Sequence, residues 1–386
     1  MDTKAVATDT VLQNDERLIG LSHRIHDDPE LCFEEEHAAA WTAATLSDAG
    51  FAIETGVANL PTAFVATAGS GPLVVGICAE YDALPGVGHA CGHNVIASAA
   101  AGAGLALAPL ADELGITVKI FGTPAEEGGG GKIIMLDAGV FEGVHAAMMV
   151  HPAPTELDRF PCLAVSHVDV HFHGKSAHAS AFPELGINAA DAITVAQTSI
   201  GLLRQHIRQS DRIHGIVTHG GDAPNIVPEA TTGKWYIRSR TLAELAELEP
   251  RVYKCFEAGA LATGCTMDIE QVSPRYSEME DDDVLRGLYR ANAEALGRVF
   301  PHLGEAGERI VGSTDMANVS LAIPTIHPML GLGCYPVSNH QPEFAAFCAT
   351  PTADKAVLDG AAAMAHTVID AATLDDVRAA LLARAS

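Results

Sequence analysis

Aromatic residues make up only 5% of this 386-residue chain, and basic residues are scarce: 23 Lys and Arg stand against 49 Asp and Glu, for a formal net charge of −26. So few cations argue against a nucleic-acid backbone or an anionic membrane surface as a partner, and neither is expected. Charge is also sparse overall, at 19% against 48% hydrophobic residues, which excludes intrinsic disorder. The opening MDTKAVATDTVLQNDE has no basic stretch and no apolar core, so no secretory signal is expected and a cytoplasmic location is the default. The longest uncharged apolar run, Val95 to Ala111, is mostly Ala and Gly, too short and too weakly hydrophobic for a membrane span; it reads as a buried helix. The eight cysteines, at 32, 78, 91, 162, 255, 265, 334 and 348, lack paired spacing, which argues against a disulfide framework.

The length suits one large domain or two. Helical apolar spacing over Leu18 to Ile25 and Glu34 to Leu46 predicts two opening helices. Three continuously hydrophobic runs come next, Leu73 to Ala79, Ile116 to Phe121 and Ala146 to Val150, with helix-like stretches at 95–111 and 130–138 between them. That is the pattern of buried parallel strands in an α/β domain, a mixed, largely parallel sheet covered by helices. From about residue 165 the pattern becomes strict alternation (AVSHVDVHFHG), and the order β-α-β-β-α-β up to about 273 predicts an inserted α+β domain. The expected division is therefore 1–164 with 274–386, and 165–273. In the last part a helix near 283–299, a strand near 324–332 and a final helix at 352–370 are expected.

The loops after the three hydrophobic runs carry the chemistry. EYDALPGVGHACGHN (80–94), GTPAEEGGGG (122–131) and HPAP (151–154) each leave the C-terminal end of a strand, where open parallel sheets place their ligand sites. Cys91 and His93 form a C-x-H pair at a helix start, so that a thiolate and an imidazole can converge on one ion. Glu126 and Glu127 are adjacent acids that are costly to desolvate without a compensating cation or proton; one can bind metal while its neighbour serves as a general base. His151, and His340 in SNHQPEF, add imidazoles from two further segments, making a candidate ligand set of soft and borderline donors. Asp82, just ahead of Cys91, suits the orientation of a ligating imidazole. His89 receives no role.

At these residues the sequence resembles the M20 metallopeptidase family, and within it the branch of aminobenzoyl-glutamate hydrolases and dipeptidases of the β-alanyl-lysine type. The resemblance covers nearly the whole chain through HDDPELCFEE (26–35), YDALPG (81–86), GHACGHN (88–94), GTPAEEGGGGK (122–132), HGKSAHAS (173–180), GGDAPNIVPE (220–229), GSTDMANVS (312–320) and NHQPEF (339–344). It implies that Cys91, His93, Glu127, His151 and His340 hold two divalent ions, Zn or Mn, with Glu126 as general base. It also implies that the insert is a lid and dimerisation domain, that His178 reaches the active site of a neighbouring subunit in a homodimer, and that Asn225 and Arg238 hold the substrate, with Arg240 a weaker candidate. The branch's common Asp after the second histidine is here Asn94, and the usual Asp-x-Asp reads Glu80-Tyr81-Asp82. The activity implied is metal-dependent hydrolysis of an amide in an N-acyl amino acid or dipeptide with a free carboxylate.

Other readings of the same residues are a cysteine amidase with Cys91 as nucleophile and His93 as base, and a metal-binding paralogue without catalysis. A phosphate loop at GVGHACG is a further one, but its G-x-G-x-x-x-G spacing misses the dinucleotide fingerprint.

Overall fold

The computed structural model describes residues 2–304 and 310–384. The chain divides into two compact units, one formed by residues up to 161 together with those from 279 onward, the other by 162–278. The described strands, numbered along the chain, are β1 (Ala52–Thr55), β2 (Phe64–Gly69), β3 (Leu73–Ala79), β4 (Ile116–Gly122), β5 (Ala146–Met148), β6 (His151–Ala153), β7 (Ala164–His173), β8 (Arg212–His219), β9 (Ala230–Ser239), β10 (Thr266–Gln271), β11 (Thr325–Ile326) and β12 (Met329–Gly331).

The first unit is built on a six-stranded sheet of order β1-β2-β4-β3-β5-β11. The pairings β3 with β4, β3 with β5 and β5 with β11 are parallel, while β1 and β2 add an antiparallel edge. The run LVVGICA is hydrophobic without alternation because both its faces are covered: Leu73, Val75 and Ile77 enter one core and Cys78 the other, as the two-residue repeat of a strand requires. On the first face lies the helix His93–Leu107, all of whose residues are buried. Its small residues let the helix Pro351–Thr373 come close; a Cβ placed on Gly102 would lie 2.8 Å from that of Ala361. This Ala-Gly helix and the turns that continue it to Leu114 are long and apolar enough to cross a membrane, but 89% of the relevant window is buried inside the unit.

Parallel register sets the site. Ala79 pairs with Gly122, so β3 and β4 end level and release Glu80 and the 123–127 turn side by side. β6, which begins at His151, pairs in parallel with β12. Two of the expected strands are shorter than read: 146–150 ends at Met148 and resumes as β6, and 324–332 breaks around His327-Pro328. The helix Thr3–Gln13 and strands β1 and β2 were not anticipated. That helix buries only Ala7 and Val11, and β1 is largely exposed, so neither carries a strong apolar period.

The second unit is an antiparallel sheet of order β10-β7-β9-β8 with the helices Ala189–Leu203 and Leu242–Thr263. Val168, Val170 and Phe172 alternate inward from β7 to meet Ile193, Trp235 and Phe256. β8 is the sheet's edge and leaves Ile216 and Val217 exposed.

Candidate metal centre

Cys91 and His93 converge with the other loops because Gly92 between them adopts a left-handed φ of +82°, and a Cβ there would strike Pro152 at 2.8 Å. Cys91 Sγ lies 3.4 Å from His151 Nε2 and 3.6 Å from His340 Nε2. His340 Nε2 is 3.6 Å from Glu127 Oε1, and His93 Nε2 is 3.9 Å from both Glu126 Oε2 and Glu127 Oε1. The five expected ligands thus meet in overlapping groups, Cys91-His93-His151 and Cys91-Glu127-His340, each with its donor atoms within 4.8 Å of one another. A third group joins His93 and Glu126 to Glu80, which sequence reasoning had left without a role.

Hydrogen bonds from the far side of the rings fix the imidazole tautomers. His93 Nδ1 donates to the Asp82 carbonyl at 2.7 Å and to Asp82 Oδ1 at 3.1 Å, and His151 Nδ1 donates to the Pro152 carbonyl at 2.9 Å. In each ring the lone pair of Nε2 is therefore turned toward the cluster, the form a metal ligand needs. Asp82 also accepts the Glu127 N–H at 3.0 Å. His93 Nε2 and Glu127 Oε1 are buried without a hydrogen-bond partner, a costly condition that a bound cation relieves. Asn94 turns elsewhere, donating to Ser22 Oγ and the Cys348 carbonyl.

The electrostatics have the same origin. Burial, and then the charges of Glu80, Glu127 and Asp315, push the Glu126 carboxyl well above its usual range. Burial also raises Glu127, although His93 and His340 pull it back. Burial and the charge of Glu127 drive the Cys91 thiol far up. Asp82 goes the other way: burial is more than offset by His93, and its carboxyl falls to about 2. Beneath the cluster, fully buried Lys132 reaches Glu80 Oε1 at 2.5 Å and Asp315 Oδ1 at 2.7 Å, and its backbone N–H donates to Asp315 Oδ2. Lys132 and Asp315 lie 183 residues apart, so no spacing signal could have joined them. A cavity of about 1090 Å³, lined by acids such as Asp137, Glu142 and Asp281, opens at the other end of β5 and shares no residue with the cluster.

In the second unit, His178 and Asn225 are exposed on neighbouring loops, joined where the Ala179 N–H meets the Asn225 carbonyl. His178 Nδ1 accepts weakly from the N–H groups of Ser180 and Ala181, which leaves its proton on Nε2. Arg238 is near the far end of β9, its Nε on His214 and its guanidinium 5.7 Å from the Tyr236 ring centre. Arg240 is ion-paired with Glu244. Asn225 precedes the start of β9, so within one unit Arg238 is roughly 25 Å of strand away from it.

A thiol, three imidazoles and several buried acids gathered at the strand ends of an α/β unit make a set of donors able to hold metal ions. The chain belongs to peptidase family M20/M25/M40, whose model matches residues 76–370. It is 37% identical over 382 residues to the Xaa-Arg dipeptidase of Mus musculus, covering 95% of this chain and 88% of that one. It is 34% identical over 304 residues to a subunit of the p-aminobenzoyl-glutamate hydrolase of Escherichia coli (strain K12), covering 73% and 63%. Among solved structures, a putative aminohydrolase from methicillin-resistant Staphylococcus aureus matches with a TM-score of 0.74 at 19% identity, covering 95% of this chain and 99% of that one. A dinuclear metal-binding peptidase of the M20 family from Bacillus subtilis matches at 0.63 and 21%, covering 92% and 98%. At those identities the likeness is one of fold.

Proposed function

We propose that the protein hydrolyses the amide bond of a dipeptide or N-acyl amino acid bearing a free carboxylate, with Cys91, His93, Glu127, His151 and His340 holding two divalent ions and Glu126 acting as general base. The observation that carries this reading is the set of Nε2, Sγ and carboxylate donors that face one another in a buried cluster, with the histidine protons held on the opposite ring atoms. Charge supports a cationic occupant: the acids Glu80, Asp82, Glu126, Glu127 and Asp315 outnumber the one ammonium buried among them, that of Lys132. The thiolate favours zinc, while the imidazoles and carboxylate accept manganese as well. Such ions, when bound, supply Lewis-acid polarisation of the scissile carbonyl and acidify water.

The chain's own residues account for the proton. Glu126, next to ligand Glu127, takes a proton from the attacking water and returns it to the departing amine nitrogen as the C–N bond breaks. The high position of its carboxyl suits holding that proton between the two steps. The Nε2–H of His178 is the donor offered to the carbonyl oxygen as charge develops there. Arg238 is the holder proposed for the substrate carboxylate, with Asn225 as a polar contact and Arg240 the weaker candidate. A dipeptide spans only about 7 Å of backbone, so one lid cannot offer Arg238 and the His178–Asn225 loops to the same molecule. That separation, together with the open edge of β8, supports a homodimer in which two lids serve each substrate. The rival reading with Cys91 as nucleophile is disfavoured because it leaves Glu126, Glu127 and His151, gathered in the same buried groups, without a role.

The test is metal analysis with a substrate panel of Xaa-Arg and β-alanyl dipeptides, aminobenzoyl-glutamate and N-acetyl amino acids, the first and third suggested by the names of the relatives. Chelation should abolish turnover and zinc or manganese restore it. Glu126→Gln should keep both ions and substrate binding while losing turnover; near-normal rates in that variant overturn the assignment of the base.

A further inference from the structure

We infer that Glu35 is a positioning residue that sets the backbone of the Glu126–Glu127 turn. The inference rests on the roles proposed for those two acids, but its structural basis is independent of them. Glu35 is fully buried, 90 positions from the turn it touches. Its Oε1 accepts the N–H groups of both Phe33 and Ala125 at 2.9 Å, and its Oε2 accepts the Thr62 hydroxyl at 2.9 Å.

Phe33 and Ala125 share an uncommon property. Each is a non-glycine residue with a left-handed backbone, φ +64° and +58°. A side chain bearing Cβ disfavours that conformation, which persists where the surroundings enforce it. Here one carboxylate oxygen holds both. Ala125 immediately precedes Glu126, and its carbonyl accepts the N–H groups of Gly129 and Gly130 that close the turn. The loop carrying Glu35 also lies on the turn directly: a Cβ placed on Gly129 would be 2.4 Å from the Phe33 ring.

The turn is thus gripped on both sides of Glu126. Glu35 holds the N–H of residue 125, and Asp82 holds the N–H of residue 127. The two grips are themselves linked, because the Thr62 carbonyl accepts the hydroxyl of Tyr81, the neighbour of Asp82. If residue 125 relaxed to a right-handed backbone, the directions of the next two side chains would change together. Neighbouring acids serve different partners only while that is prevented.

Glutamine should replace Glu35 well. Its carbonyl oxygen can accept the same two N–H groups, and its amide can donate to the Thr62 hydroxyl, which turns to accept. Alanine leaves both N–H groups without a partner. The experiment compares Glu35→Ala, Glu35→Gln and the double variant Glu35→Ala with Ala125→Gly, each loaded with zinc and assayed on a dipeptide the wild type cleaves. Metal content and hydrogen exchange of the 124–130 amides are measured alongside. Glu35→Ala should lose about 10–100-fold in kcat, with KM little changed and exchange of the 125–130 amides accelerated. Glu35→Gln should retain most of kcat and wild-type exchange. Glycine at 125 should recover part of the loss in the double variant, since it adopts the left-handed backbone without the Cβ penalty; a purely structural role for Glu35 gives no such recovery. Should Glu35→Ala fail to fold, Thr62→Val, which removes one of the three contacts, should show a smaller loss and faster exchange in the same direction. Wild-type kcat and exchange in folded Glu35→Ala, or in Thr62→Val when only that variant folds, overturn the inference. The exchange measurement needs no turnover, so it reports on Glu35 even if Glu126→Gln shows that the base lies elsewhere.

Discussion

Lys132 and Arg238 are both cations placed near candidate chemistry, yet they sit in opposite surroundings. Lys132, in the first unit, is sealed between Glu80 and Asp315. Arg238, in the second, is half-buried on a sheet face, touching His214 and Tyr236. The same contrast runs through the rest of the candidate residues: the acids and imidazoles of the first unit lie in overlapping groups with donor atoms within 4.8 Å of one another, whereas His178 and Asn225 stand on exposed loops. In the first unit function and stability share the same bonds. In the second they are separable, and substitutions should report on one without the other.

Three substitutions probe that contrast. Lys132→Met leaves two buried carboxylates without their cation and should cost about 3–5 kcal/mol of stability, read by denaturant unfolding of the metal-loaded protein. Arg240→Ala, whose ion pair is exposed, should cost at most about 1 kcal/mol. Equal costs would remove the distinction. His178→Ala should lower kcat by about 10²–10³-fold and leave the unfolding midpoint where it was; a large drop in thermal stability would mean that the loops of the second unit are braced after all.

The smallest effect concerns a buried charge in the first unit that lacks good compensation. Asp281 is almost fully covered, its oxygens make no hydrogen bond among the described residues, and burial raises its carboxyl to about 6 although Arg159 and Arg286 offset part of the rise. Its folded value lies above the unfolded one, so the native state holds the proton more tightly. The associated stability is present below the unfolded value, near 4, and is lost as pH climbs through about 6. Asp281→Asn should therefore raise Tm more at pH 8 than at pH 5, by roughly 1–3 °C. No difference between the two pH values would show that Arg159 compensates this acid as fully as Asp315 compensates Lys132.

The sequence was most informative where one local rule decides the outcome. The runs at 73–79 and 116–121 could only be strands covered on both faces, and the loops after them had to share an edge. Cys91, His93, Glu126 and Glu127 were legible from residue type and from their place after those strands, and His151 and His340 from the same reasoning strengthened by a family resemblance. Lys132, Asp315 and Glu35 stayed silent because their roles depend on tertiary pairing across 90 to 183 positions. Lys132 and Asp315 even lay inside motifs read from the sequence, GTPAEEGGGGK and GSTDMANVS, where nothing local distinguishes a buried ion pair from a solvated one. In the second unit, His178, Asn225 and Arg238 rested on resemblance alone, since an exposed polar residue leaves no trace in a hydrophobic pattern.

The pairing of Ala79 with Gly122 acts as a ruler for the whole centre. One residue inserted into either strand would invert every side chain beyond it and put Glu80 or the 123–127 turn on the wrong side of the sheet. Nor can the ruler be altered at its end mark: a methyl group on Gly122 would lie 2.2 Å from the Phe64 ring. Diversification of this scaffold toward new substrates must then come from segments beyond the ladder, such as the 84–90 and 335–341 loops, where length can change without moving the zero point.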